Sequence, residues 1–175
     1  MKNIFVINGS ASKNSSNQKL IDHVVEWTKN DFNAIVFNDL KTIPHFDPDL
    51  STGNTPKAIL NFRKSIERSD GVLICTPEYI FSVPGGLKNV LEWCVSTSVF
   101  SGKPLGIITA SANGEKGHEQ LQLIMSTVMA QFTPETTLLI QGIKGKINQQ
   151  GRITDKHTLN ELTKFTQAFK KLVAK

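Results

Sequence analysis

The sequence has no long hydrophobic run. Its apolar stretches, such as Ile4 to Ile7, are strand-sized, against the roughly 20 residues that a membrane-spanning helix needs. No membrane partner is expected. The opening residues run from Met1 through Ile7 straight into Asn8-Gly9, with no small-residue cleavage site. A secretory leader is therefore not expected, and the cytoplasm is the expected location. There are 2 cysteines, Cys75 and Cys94, each in an apolar pattern. They are too few for a disulfide framework and read as buried thiols. His23, His45 and His157 lack metal-ligand spacing and have no cysteine beside them, so no metal site is expected. His118 has no partner carboxylate or second histidine in a motif and reads as a solvated first-turn residue. No Ser-His-Asp, Cys-His or carboxylate-pair constellation is evident, so no side chain is expected to be catalytic. GxxxxGK[ST] and GxGxxG are both missing, which removes the P-loop and the Rossmann dinucleotide fingerprint.

Charge is lopsided but scattered. The net charge is +5 and the isoelectric point about 9.3. No basic run reaches five residues and no aromatic side chains interleave with the basic ones, so no nucleic acid partner is expected. A positive field suits anionic small molecules as well. With 39% hydrophobic and 20% charged residues, the chain is globular rather than disordered. Its 175 residues fit a single domain, 1–175, that can bury roughly 70% of its unfolded surface without staples.

What is present is an alternation of two periods. Apolar runs closed by turn residues predict strands at 2–8, 33–37, 71–75, 103–110 and 136–140. Between them the period lengthens to that of a helix. Leu20, Ile21, Val24, Val25 and Thr28 share one face of a helix over 16–28. Pro56 fits the first turn of a helix to about Arg68, with Ile59, Phe62 and Ile66 inward. Pro84 opens another, in which Leu87, Val90, Leu91 and Cys94 recur at helical spacing. Leu121, Ile124, Met125 and Val128 mark a fourth. Leu159, Leu162, Phe165, Phe169 and Leu172 form the stripe of the last. Residues 38–55 read as a long loop. Such alternation implies a flavodoxin-like doubly wound α/β fold: a five-stranded parallel sheet of order 2-1-3-4-5, with helices on both faces. Ligands bind such sheets beyond the carboxyl ends of the strands at the topological switch. That rule points to the loops after strands one, three and four.

The loop after strand one carries the hydroxyls of Ser10, Ser12, Ser15 and Ser16, the amides of Asn14 and Asn17, and Lys13. It runs into a helix. Many short donors at the positive end of a helix suit a phosphate monoester. Ser and Asn also favour caps and turns without any ligand, but one capping residue would serve that purpose. The loop after strand four holds Ser111, Asn113, Gly114 and Gly117 and opens a helix. It reads equally as an ordinary turn and as a close approach of backbone to ligand. After strand three, Pro77 and Pro84 stiffen a segment whose backbone can meet the polar edge of a ring, with Tyr79 and Phe81 as apolar contacts. Either aromatic alone could equally be core or subunit interface. Trp93 reads as packing, and Lys88-Asn89 as a local cap and pair or as an interface.

The stretch Thr76-Pro77-Glu78-Tyr79-Ile80-Phe81-Ser82-Val83-Pro84-Gly85-Gly86-Leu87-Lys88-Asn89-Val90-Leu91-Glu92-Trp93 closely resembles the signature of the NAD(P)H-dependent FMN reductase family. That family includes quinone, chromate and azo-dye reductases. Gly9, Ser10, Ser15 and Asn17 fall on the family's second pattern, GS-x-R-x-x-S-x-N, at the same spacing. The resemblance runs from the first strand to the last helix. It implies FMN bound by Ser10, Ser12, Ser15, Ser16 and Asn17 at the phosphate, by Pro77, Glu78, Tyr79, Ile80 and Phe81 along the ring, and by Ser111, Asn113 and Gly114 beyond it. It also implies NADPH or NADH as co-substrate, a small-molecule electron acceptor, and a homodimer or homotetramer. Two positions depart from the family pattern. Ser12 stands where many relatives carry arginine, which shifts phosphate holding onto Ser15, Ser16, Asn17 and Lys13. Ile80 stands where many carry asparagine beside the ring. The expected activity is hydride transfer from nicotinamide to bound FMN and onward to a quinone, azo, metal or flavin acceptor. A non-enzymatic flavodoxin-like electron carrier is the alternative. A regulatory protein without flavin is a further one.

Overall fold

A computed structural model describes residues 1–12 and 14–175. Parallel strands β1 (Lys2–Asn8), β2 (Phe32–Phe37), β3 (Gly71–Thr76), β4 (Leu105–Ser111) and β5 (Thr137–Gln141) form one sheet of order β2-β1-β3-β4-β5. This is the order expected from the alternation. Helices α1 (Ser16–Thr28) and α6 (Lys156–Val173) cover one face. Helices α3 (Lys57–Arg68), α4 (Gly85–Glu92) and α5 (Glu115–Thr127) cover the other. Residues 38–55 are more ordered than expected: they hold a 3-10 turn, Leu40–Thr42, and a short helix α2 (Pro48–Ser51).

Central strands buried on both faces must be apolar throughout. All of Gly71–Thr76 is buried. The two cores follow from alternation along the strands. Phe5, Ile7, Val72 and Ile74 meet Phe62, Leu87 and Leu121 on one side. Ile4, Val6, Leu73 and Cys75 meet Leu20, Ile21 and Phe165 on the other. Both cysteines are free and buried, and burial pushes their thiols well up. Among the described residues no helix is long and apolar enough to cross a membrane.

Small departures from the expected boundaries have local causes. β4 starts at Leu105 because Lys103 still belongs to a turn, its N–H donating to the Phe100 carbonyl at 3.0 Å. Its ammonium meanwhile caps the end of α3 through the Ser69 carbonyl at 2.6 Å. β5 starts at Thr137 because Thr133 and Thr136 close a capping box around the preceding 3-10 turn. In α6 the buried stripe is Thr158, Leu162, Phe165, Thr166, Phe169, Leu172 and Val173. Leu159, expected inward, is exposed, while its first-turn neighbour Thr158 is buried, so the stripe begins at Thr158 rather than at Leu159.

The switch point lies between β1 and β3. Gly9 leaves β1 there, with its N–H on the Cys75 carbonyl at 2.8 Å. A Cβ on Gly9 would lie 2.3 Å from Thr76 Oγ1 and 2.6 Å from Thr76 Cβ. The second clash cannot be relieved by turning a side chain. Gly9→Ala should therefore cost about 3 kcal/mol of stability in urea unfolding, and a wild-type midpoint would contradict this close approach.

Candidate active site at the carboxyl edge of the sheet

The loop after β1 is shaped by Asn8. Its buried side-chain carbonyl accepts the Ser10 N–H at 3.0 Å, and its amide donates to Gln18 at 2.9 Å and Asn38 at 3.0 Å. Ser10, also buried, accepts the Ser12 N–H at 3.2 Å. Ser15 is the N-cap of α1 and accepts the Gln18 N–H at 3.0 Å. One orphan donor of the helix start is thereby satisfied. The main-chain N–H groups of Ser16 and Asn17 precede it in the same turn. Neither meets an acceptor among the described residues. Lys13, expected to help hold phosphate, lies outside the described residues.

One expectation needs correcting. The Asn17 amide was expected to donate to a phosphate. It is buried and donates instead to the Ala110 carbonyl at 3.1 Å, while its oxygen accepts from the Cys75 thiol at 3.4 Å. Asn17 ties α1 to β3 and β4.

After β3, Tyr79 and Ser82 exchange both main-chain hydrogen bonds, at 3.0 and 3.1 Å. The two residues between them are left-handed, Ile80 at φ 51° and Phe81 at φ 53°. This is the arrangement of a type I′ turn, normally filled by Asn and Gly. Ile80 is 95% exposed and Phe81 65% exposed, so neither is held there by packing.

Glu78 is not a free member of this loop. Its carboxylate accepts the N–H of Gly114 at 3.0 Å and of Gly117 at 2.8 Å. The Ser111 hydroxyl donates to the Glu78 carbonyl at 3.3 Å. Pro77 is buried, and its carbonyl accepts from the Thr76 hydroxyl at 3.0 Å. Asn113 is exposed and accepts from Gln141 at 2.8 Å. Gly114, at φ 93°, is the N-cap of α5. His118, expected to be solvated, is half-buried with Nδ1 2.8 Å from the Thr109 hydroxyl. Burial holds its imidazole below the usual histidine range.

Beside these loops lies a crevice of about 460 Å³, within the size range of small-molecule sites. Of the expected residues it gathers Ser10, Ser12 and Tyr79. It adds Asn8, Asn38, Asp39, Leu40, Lys41 and 84–86, which had no assigned role. The signal for 38–41 was position: the end of β2 neighbours β1 at the carboxyl edge. Asn89 and Trp93, read as a cap and as packing, fix that wall. Both donate to the Pro44 carbonyl at 2.9 Å, and Asn89 accepts the Phe46 N–H at 2.7 Å. Lys88 pairs with Glu92 at 2.7 Å. Two larger grooves, of about 520 and 660 Å³, lie at the amino ends of the strands, against α3 and α6. They lack a Ser/Gly-rich loop opening a helix. Among the described residues no cluster of His, Cys, Asp and Glu could hold a metal ion.

The comparisons with known proteins agree with this fold. The family model for NADPH-dependent FMN reductase matches residues 2–144. The chain belongs to the NADPH-dependent FMN reductase family. It is an FMN-dependent oxidoreductase. It is 33% identical to a quinone reductase of Escherichia coli, over 73% of this chain and 71% of the relative. It is also 33% identical to an NAD(P)H-dependent FMN reductase of Pseudomonas aeruginosa, over 70% of this chain and 69% of the relative. Among solved structures, an NAD(P)H:(acceptor) oxidoreductase flavoenzyme of Paracoccus denitrificans superposes with TM-score 0.81 at 26% identity. That match covers 99% of this chain and 98% of the other.

The residues present fit the family's cofactor. Two α1 N–H groups without acceptors among the described residues, beside four serine hydroxyls, form an anion cradle. The turn after β3 supplies a wall. The left-handed Ile80 carries strain of about 1–2 kcal/mol. Ile80→Asn should relieve about 1 kcal/mol of it and raise the melting temperature. A lower melting temperature would show that the exposed isoleucine is stabilising.

Proposed function

We propose that the chain reduces small quinone-type acceptors with NADPH or NADH, using FMN seated at the switch point. The observation that carries this reading is the α1 start: a hydroxyl-rich loop, a donor capped by Ser15, and Ser16 and Asn17 N–H groups that meet no acceptor among the described residues. Ser10, Ser12, Ser15 and Ser16 would hold the phosphate with those N–H groups, where the helix dipole favours negative charge. No arginine is needed at Ser12, because hydroxyls and backbone donors replace it. Pro77, Glu78, Tyr79, Ile80 and Phe81 would line the ring, with Tyr79 and Phe81 excluding water from its edge. Ser111, Asn113 and Gly114 would close the far side.

Bound FMN supplies the two-electron chemistry, accepting hydride from the nicotinamide and passing electrons to the acceptor. The protein's own contribution is binding, orientation and shielding, which is why no side chain is assigned a catalytic role. Burial beside Thr109 favours the neutral form of His118, so the site gains no fixed cation from it. The acceptor class rests on the quinone reductase relative. A homodimer is part of the proposal. It is supported by the exposed apolar turn and by Leu123, exposed one turn beyond Gln120, which contacts that turn.

The test is a single preparation. The FMN-loaded protein should lose its visible flavin absorption on anaerobic addition of NADPH or NADH and recover it with a quinone. Light scattering on the same sample should give the mass of two chains. A flavin that stays oxidised under both nicotinamides would overturn the activity, and a mass of one chain would overturn the dimer.

A further inference from the structure

The N-cap of α5 is Gly114, which has no side chain, so the helix cannot cap itself. The N–H of its third residue, Gly117, would be orphaned. An N-cap Ser or Asp would supply the missing oxygen. Here it comes from Glu78, 39 positions away in sequence, at 2.8 Å, while the other carboxylate oxygen takes the Gly114 N–H at 3.0 Å. Both places favour glycine. A Cβ on Gly117 would press on the Glu78 Cβ and Cγ at 3.2 and 3.3 Å, and Gly114 is left-handed. A carboxylate at a helix start also gains from the dipole. The same loop is pinned at its other end, where the Ser82 hydroxyl donates to Gln120 of α5 at 2.7 Å. The strained turn of Ile80 and Phe81 lies between these two ties. Strain of that kind persists only where the surroundings over-determine it.

We propose that Glu78 is a positioning residue whose carboxylate, by capping α5 from the neighbouring loop, locks the walls after β3 and β4 into one unit before FMN arrives. This rests on the FMN reading above for its functional consequence, though the lock itself belongs to the cofactor-free protein. The Glu78 side chain is thereby spent on α5 and is not a ligand of the flavin. In the FMN reading its carboxylate would stand beside the ring, where negative charge opposes added electrons.

Glu78→Gln keeps the size, removes the charge and leaves one acceptor oxygen for two donors. Hydrogen exchange on the cofactor-free variant should be at least about tenfold faster at Gly114 and Gly117, the ratio expected for losing hydrogen bonds to a charged group. FMN should dissociate about tenfold more readily, and the midpoint potential of the bound flavin should become less negative. Gln120→Ala, which cuts only the other tie, should leave protection at Gly114 and Gly117 as in the wild type. Unchanged exchange at Gly114 and Gly117 in Glu78→Gln would overturn the proposal, whatever the affinity. Equal loss of protection in both variants would overturn it too, as general loosening of α5. An unmoved potential would overturn the role of the charge. Failure of the wild type to bind FMN would contradict the function while the exchange data still decide the lock.

Discussion

The first-turn N–H groups of the helices that leave the carboxyl edge of the sheet need oxygen acceptors, and three of these helices meet that need differently. α5 begins at a glycine and is capped from outside by Glu78. α4 begins after Pro84 with no side-chain cap, and 84–86 open onto the crevice. α1 is capped by Ser15 at the Gln18 N–H, and among the described residues no acceptor meets the Ser16 and Asn17 N–H groups. An anion arriving at this edge therefore meets a carboxylate at α5 and, at α1, hydroxyls beside those N–H groups. Because the dipole effect falls off within a turn, the carboxylate disfavours an anion at α5, and the hydroxyls of the loop after β1 distinguish α1 from α4, which supports the proposed phosphate position.

The rest of the site is built to keep that loop and its neighbours in place. Asn8 shapes the loop from inside, and Asn17 ties the helix start to β3 and β4. Asn89 and Trp93 hold 44–46, which carries the wall at 38–41. Arg63 extends the same bracing, donating to the Trp93 carbonyl and to the Ser51 carbonyl at 3.1 Å, so that α2, α3 and α4 share one guanidinium. Each is a polar group near the core whose hydrogen bonds are spent inside the protein. Leaving any of them unpaired would cost about 1–3 kcal/mol, so these bonds brace the site.

Sheet order and helix faces were legible because strand burial and helical periodicity are local patterns. Leu20, Ile21 and Val24 announce their face within a single turn or two. The loops were legible as to place, since the switch-point rule needs only the strand order. Partners were not. Nothing local tells that the Asn17 amide turns inward to Ala110, or that Glu78 serves a helix that starts 37 residues later. Such bonds join residues brought together by the sheet. Within the motif 76–93, the fold gives Glu78, Asn89 and Trp93 a bracing role. Ile80 and Phe81 were visible as apolar residues, but their left-handed geometry was not, because their residue types favour neither that region nor that turn.

We propose that FMN is held by the loops after β1, β3 and β4. Amide chemical shifts of the nitrogen-15-labelled protein, followed as FMN is added, test it directly. The account predicts that the largest changes fall in 9–17, 77–82 and 111–117, with Ser16 and Asn17 among them. Changes centred instead on the amino-edge groove around Asn61, Lys64 and Arg68, or no changes at all, would contradict it.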